Sequence, residues 1–351
     1  MYCNKAIYTN FRNVQQAILE LDKGVNVLNG FNAQGKTNLL EGIYLFACGK
    51  SFRGASDKEL VKIGCEYSSV ALDFTDKDRK RSHEMRFFQN ERKICLKEGI
   101  KTSKMSEFIG IFRAVLFSPD HLSIVKDGPA ERRTFLDIAL SQLYPAYVEA
   151  LSKYKKLLSE RNSLLKEPDA IGFNDVIGVI NEQMAKHAVF ISTKRYDYVK
   201  KLNLHVKNII SDMTLGAEKC DLSYETPRDE KEYQKMFSVN LEKEKAAKTT
   251  LYGVHKDDIA VSLNGLDSRV YASQGQQRSI ALAMKIAEGE ISKEISGEYP
   301  VFLFDDILSE LDNKRKDFIL SGLENRQVII TGCEDINKGK IFKVSGGKVC
   351  S

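Results

Sequence analysis

No stretch of the 351-residue chain approaches the roughly 18 consecutive apolar residues of a membrane-spanning helix. No apolar leader core accompanies Lys5 and Arg12 near the start, so the expected setting is the cytoplasm, away from any membrane. Cysteine is sparse: seven residues (Cys3, Cys48, Cys65, Cys95, Cys220, Cys333 and Cys350), odd in number and without a C-x-x-C pair. That scatter argues against a disulfide framework and a zinc knuckle. Charge of one sign hardly dominates, since 53 Lys and Arg against 48 Asp and Glu leave +5. Such an excess permits nucleic acid as a partner without specifying it. Base-reading motifs are missing as well. What is present is an ordinary globular composition, 42% hydrophobic and 29% charged, with length for two structural units at roughly 150 residues each.

Alternating apolar runs predict strands over residues 6–9, 17–21 and 24–29. The last runs into Gly30-Phe31-Asn32-Ala33-Gln34-Gly35-Lys36-Thr37, and helical spacing follows at Leu39, Leu40, Ile43 and Phe46. Strand patterns return over 67–96, around an Asn90-Glu91 turn, and over 113–117, where Pro119 stops them. From 130 to about 213 strand signal nearly vanishes. Leu136, Leu140, Leu143, Tyr147, Leu151, Tyr154, Leu158 and Leu165 form one apolar stripe; Ile177, Ile180, Met184, Ile191, Tyr198, Leu202, Val206 and Ile210 form another. Pro145 is placed to open a helix. The break at 167–172 predicts a reversal, so the stripes should pack as an antiparallel pair about 30 Å long. Strand patterns resume at 257, then a helix over 276–294, a buried strand over 301–304 and a final helix–strand unit.

Gly30 to Thr37 matches G-x-x-x-x-G-K-[ST] in the strand–loop–helix setting of a phosphate loop. The glycines let successive backbone N–H groups curl toward phosphates, and the following helix adds its positive end. Lys36 should reach the β- and γ-phosphates and Thr37 should hold Mg²⁺, above a cradle of Gly30, Phe31, Asn32, Ala33, Gln34 and Gly35. A second metal carboxylate is needed at a strand end, and Val301-Phe302-Leu303-Phe304-Asp305-Asp306 supplies it. Asp305 is the better metal partner; Asp306 is the candidate to orient or deprotonate the attacking water. There is no N-K-x-D guanine box, because Asn313-Lys314-Arg315-Lys316 fails at its fourth place, so ATP is the expected nucleotide.

Ser273-Gln274-Gly275-Gln276-Gln277-Arg278 opens a helix, and alone it reads as an N-cap. Ahead of a strand that ends in Asp-Asp it reads as a second phosphate-seeking element. Two such elements with one metal carboxylate point to a nucleotide sandwiched between two copies of the chain.

Asn10-Phe11-Arg12-Asn13, the stretch from Gly30 to Glu41, Phe117-Ser118-Pro119-Asp120, Arg132-Arg133, Phe135-Leu136-Asp137, His255-Lys256-Asp257-Asp258, the Ser273 turn and the stretch from Asp305 to Asp312 lie in order along the whole chain. Together they resemble the SMC class of ABC-type ATPases, and within it the RecF family. The resemblance implies an α/β fold: an ABC-type ATPase head over 1–128 and 250–351, with a P-loop sheet and an antiparallel β subdomain, split by an inserted helical, coiled-coil-like arm over 129–249. It implies that Arg12 and Asn32 line the ATP site. Ser273, Gly275 and Gln276 would be the signature that meets the γ-phosphate held by the other protomer, and Ser309-Glu310-Leu311-Asp312 the D-loop at that interface.

The family role would follow: ATP-dependent homodimerisation on double-stranded and gapped or junction DNA, and action with RecO and RecR to place RecA at gaps, in repair, recombination and the SOS response. Lys36 and Asp306 would carry a slow, Mg²⁺-dependent, DNA-stimulated ATPase used as a timer. Asp306 stands where most ABC proteins carry Glu, in agreement with the RecF pattern. No switch histidine follows the last core strand, which ends Thr331-Gly332-Cys333, and no glutamine follows 113–117, leaving 118–121 as the nearest Q-loop equivalent.

Two stretches carry the basic charge. Residues 77–104 hold ten Lys and Arg against four acids, and 153–207 hold eleven against six. DNA contacts there would be to phosphates, salt-sensitive and largely blind to sequence. The alternative, a DNA-tethering or end-processing ATPase working with a nuclease, fits poorly with a short arm that lacks a C-x-x-C hook. A transporter ATPase fits poorly with the arm's basic charge.

Overall fold

The computed structural model describes residues 1–307, 311–322, 325–332 and 339–350. A six-stranded sheet runs in the order Lys348–Cys350, Lys340–Ser345, Val25–Asn29, Val328–Gly332, Val301–Asp305, Ala114–Phe117. All its pairings are parallel except that of the first two strands. Continuous apolar runs such as that of residues 301–304 suit strands covered on both faces. Leu303 and Ile329 point into one core; Phe302, Phe304, Val328 and Ile330 point into another. The C-terminal ends of Val25–Asn29, Val328–Gly332 and Val301–Asp305 therefore emerge side by side, where open parallel sheets bind ligands.

Helix Lys36–Cys48 covers one face and is itself covered by a second, antiparallel sheet: Val14–Glu20, Tyr2–Phe11, Tyr67–Thr75, Lys80–Phe88, Ile94–Lys97 and Ile100–Lys101. Lying between two sheets, it is apolar on nearly every side, with Leu39, Leu40, Ile43, Leu45 and Phe46 all buried. Gly42 allows the close approach, since a Cβ there would lie 2.4 Å from the Tyr8 ring. The Tyr8 hydroxyl in turn donates to the Leu39 carbonyl at 2.6 Å. Gly49, at φ +70°, ends the helix by returning its N–H to the Leu45 carbonyl.

The arm comprises helices Pro129–Leu143, Pro145–Leu164 and Phe173–Thr214, with Pro145 at the helix start. The last has 42 residues, far longer than the expected partner of a hairpin. Its first half packs on Pro145–Leu164; further along, Tyr198, Leu202 and Val206 share a core with Ile280, Met284 and Ile291 of helix Gln274–Ser296. One continuous stripe serves two successive partners, which periodicity cannot separate. A strand absent from the sequence reading, Cys220–Tyr224, pairs antiparallel with Ile259–Leu263. This small sheet thus takes strands from both sides of residue 250. The hairpin formed by Lys340–Ser345 and Lys348–Cys350 was likewise not anticipated.

Two buried arginines fasten the arm. Arg161 donates to Asn181 Oδ1 (2.7 Å) and Thr250 Oγ1 (2.9 Å) and pairs with the buried Glu244 at 2.7 Å. Arg195 pairs with Asp137 (2.9 Å) and donates to the Tyr147 hydroxyl (3.0 Å) and the Val254 carbonyl (2.6 Å). Beside it, Arg132 grips Asp258 through two bonds of 2.7 and 2.9 Å. Of the residues singled out in sequence, Arg132 and Asp258 thus tie the arm to the chain beyond residue 250, whereas Asp137 pairs within the arm through Arg195 and Tyr147.

Candidate nucleotide site

The loop between strand Val25–Asn29 and helix Lys36–Cys48 curls because two of its residues adopt left-handed backbone, Ala33 at φ +63° and Gly35 at φ +109°. Alternation of this kind turns N–H groups toward a common centre. Gly30 is required by packing, since a Cβ would sit 2.2 Å from the Val344 carbonyl oxygen. Lys36 folds back over the loop and donates to the Gly30 carbonyl and, at 3.2 Å, to that of Phe31. Thr37 Oγ1 donates to Asp305 Oδ1 at 2.7 Å, which joins the two ends of the predicted metal pair across 268 residues.

Asp305 also accepts from the Thr331 hydroxyl at 3.0 Å, and Thr331 Oγ1 accepts the Asp306 N–H at 2.9 Å. Burial pushes the Asp305 carboxyl above its ordinary value, opposed by the bonds from Thr37 and Thr331 and reinforced by the negative charge of Asp306. A buried hydroxyl–carboxylate pair of this kind fits a hard divalent cation that takes its other ligands from phosphate and water. Among the described residues no cluster of three or more His, Cys, Asp or Glu side chains offers an all-protein cage. Asp306, at φ +50°, turns out of the strand and lines the cleft.

That cleft, about 740 Å³, is bounded by Arg12, Asn32, Lys36, Thr37, Arg53 and Asp306 among others. Arg12 sits in the turn between the first two strands at φ +54°. Glu41, fully buried on the loop helix, holds its guanidinium by bonds of 2.9 and 2.8 Å. Asn13 accepts from Asn38 at 2.8 Å and packs against Gly35. Gln34 receives the N–H groups of Gly346 (2.6 Å) and Gly347 (3.0 Å), so the unanticipated C-terminal hairpin braces the loop.

Ser273 caps helix Gln274–Ser296: its Oγ accepts the Gln276 N–H at 3.2 Å while Gln276 Oε1 accepts the Ser273 N–H at 2.8 Å. The other end of the Gln276 amide donates to Glu218 at 2.7 Å, so this side chain supports the turn from within its own chain. Ser273 is exposed and is not among the residues bounding the loop cleft. Gly275 has no left-handed backbone, and a Cβ there would meet nothing closer than Arg315 at 3.4 Å. Asp312 lies on the same surface as Gln276, in a groove with Ser279 and Arg315. Ser309 and Glu310 lie outside the described residues, as does Cys333.

A family model described as RecF/RecN/SMC N terminal domain matches residues 2–338. A DNA replication and repair protein RecF of Clostridium kluyveri is 40% identical, over 99% of each chain. The chain belongs to the RecF family. Another RecF, of Clostridium botulinum, is 39% identical over 99% of both chains. Among solved structures, a recombination mediator protein RecF-ATPrS in the RecFOR pathway is 36% identical and superposes with a TM-score of 0.93, covering 99% of this chain and 97% of that one. An Smc head domain from Pyrococcus furiosus, 17% identical with a TM-score of 0.59, shares the fold. The RecF-type head with its inserted helices is therefore what the sequence pattern describes.

Three features of this RecF-family site went unread in the sequence. Thr331 stands in register with Asp305 on the adjacent strand, a pairing that no sequence motif marks. Arg53 reaches the cleft through Asn38, at 3.0 Å, from a loop without a motif. The Gly346-Gly347 turn contacts the phosphate loop only through the fold. The 118–121 segment follows strand Ala114–Phe117, in register with Phe304, and His121 Nδ1 accepts the Ser118 N–H at 3.2 Å. Burial, helped by Lys285, holds that imidazole well below its ordinary pKa, hence neutral.

Proposed function

We propose that this RecF-family protein binds ATP and Mg²⁺ in the loop cleft and that a second copy completes the site with its Ser273 turn. The observation carrying this reading is the division of the machinery. Lys36, Thr37 and Asp306 line one cleft, with Asp305 bonded to Thr37 behind it, while Ser273, Gly275 and Asp312 lie outside its lining. ATP that touches both surfaces favours the paired state by differential affinity, as a linkage requires.

Within each site the loop N–H groups and Lys36 hold the β- and γ-phosphates, and Arg12, fixed by Glu41, borders the nucleotide beside Asn32. Mg²⁺, held by Thr37 and Asp305, supplies charge neutralisation at the phosphate oxygens. Asp306 orients the attacking water; one methylene shorter than Glu, it reaches less far, consistent with slow, DNA-stimulated turnover that resets the dimer.

DNA is the partner whose phosphates the dimer grips. In the arm, Arg161 and Arg195 are consumed internally, and Lys186, Lys201 and Lys207 pair with acids. Lys77, Arg79, Lys80, Arg92, Lys101 and Lys104 of the antiparallel sheet are exposed, and so are Lys153, Lys166 and Lys200 of the arm, so both basic stretches offer cations to phosphates. Action on duplex and gapped DNA with RecO- and RecR-type mediators, preparing sites for RecA, is the cellular role that accords with the RecFOR relatives. Light scattering with ATP and Mg²⁺ tests the core: the wild type should double in mass, and Lys36→Arg and Ser273→Arg should stay monomeric. A dimer in both variants would contradict the proposal.

A further inference from the structure

Arg315 stands at the first turn of helix Asn313–Gly322, just after Asp312 and outside the loop cleft. Its guanidinium donates in three directions: Nε to Ser279 Oγ at 2.9 Å, Nη2 to the Gly275 carbonyl at 3.1 Å, and Nη1 to the Asp312 carboxylate. Its own backbone N–H donates to Asp312 Oδ1 at 2.9 Å. Two segments distant in sequence, the first turn of helix Gln274–Ser296 and residue 312, are thereby clasped by one side chain.

We infer that Arg315 is a positioning residue that holds the Ser273 turn and Asp312 together as a single rigid cap for the nucleotide of a second copy. The inference rests on the composite-site reading above. Glu218 steadies the same turn from the opposite side through Gln276, so the turn is braced on both flanks while Ser273 itself faces outward. A planar fork with fixed donor directions can serve a carbonyl, a hydroxyl and a carboxylate at once, whereas a lysine ammonium cannot match that geometry. The Arg315 side chain is about a quarter exposed (27%), so its removal opens no core cavity and its loss should be felt in the cap rather than in the fold.

The test is ATP-dependent dimerisation of the full chain, measured beside ATP affinity at dilution and thermal stability. Arg315→Ala should bind ATP as the wild type does and melt at about the same temperature, yet dimerise roughly tenfold or more weakly. Arg315→Lys should recover part of that loss, and millimolar guanidinium should restore the Ala variant while leaving Ser273→Arg monomeric. Undiminished dimerisation of Arg315→Ala overturns the inference, as does a loss that guanidinium does not relieve. If Arg315→Ala fails to fold, Arg315→Gln carries the same comparison. A wild type that stays monomeric with ATP overturns the composite-site reading itself.

Discussion

Gly30 and Gly275 both belong to turns read in sequence as phosphate-seeking, but the chain's own structure requires only the first. Gly30 has a carbonyl where a Cβ would go; Gly275 has ordinary backbone, and a Cβ there would make only van der Waals contact with the Arg315 side chain at 3.4 Å. Gly275→Ala should therefore raise stability by about 0.4–1 kcal/mol, through the unfolded state. If the proposed cap is right, it should also weaken ATP-dependent dimerisation about tenfold or more, because the added methyl meets the Arg315 guanidinium that clasps the turn. Denaturant unfolding and light scattering on one preparation read both signs. The phosphate loop was legible in sequence because its residues are adjacent. Thr331 and Arg53 were not, because the fold alone brings them to Asp305 and the cleft.

His83 offers a residue-scale test of the core. Its ring lies against Phe74 and Phe108 at 5.0 and 5.2 Å, and among the described residues neither nitrogen has a hydrogen-bond partner. Burial first, then Lys97, Arg81 and Arg79, pushes its pKa down to about 4. The unfolded chain takes up the proton near pH ~6.5, so this neutral histidine supports the fold fully above that pH. Its support is lost as pH falls from ~6.5 toward 4, by roughly 1–2 kcal/mol at pH 5. His83→Leu should flatten that slope in denaturant midpoints taken at pH 7 and 5; an unchanged slope would contradict it.

At the scale of elements, the arm is held by charge as much as by its apolar stripes. Arg161 and Glu244 are fully buried, and the pair links helices Pro145–Leu164 and Leu241–Ala247. Arg161→Met leaves Glu244 as an unpaired buried charge and should cost about 3–5 kcal/mol. The double variant with Glu244→Leu should lose markedly less. Chemical denaturation of both variants decides this; equal losses would show that the charge pairing is not the cause. Helices with strong stripes and strands with continuous apolar runs were readable from the sequence. Cys220–Tyr224 was not, since it has two inward apolar positions, Cys220 and Leu222, and owes its place to pairing with Ile259–Leu263.

At the scale of the molecule, the proposed function gives each chain two unlike halves of an ATP site: a cleft for the triphosphate and a turn to cap it. Two phosphate-seeking elements beside one metal carboxylate suggest that division in sequence, and the fold gives each element its own surface. Head and arm share one core through helix Gln274–Ser296, which begins at the Ser273 turn, so contacts on the arm bear on the same element that would close the proposed dimer. The most direct test mixes Lys36→Ala, which lacks a working cleft, with Ser273→Arg, which lacks a working cap. Neither should dimerise alone with ATP and Mg²⁺, whereas an equal mixture should form heterodimers holding one complete site, seen as a doubled mass in light scattering. A mixture that stays monomeric, or a Ser273→Arg variant that dimerises unaided, would contradict the account.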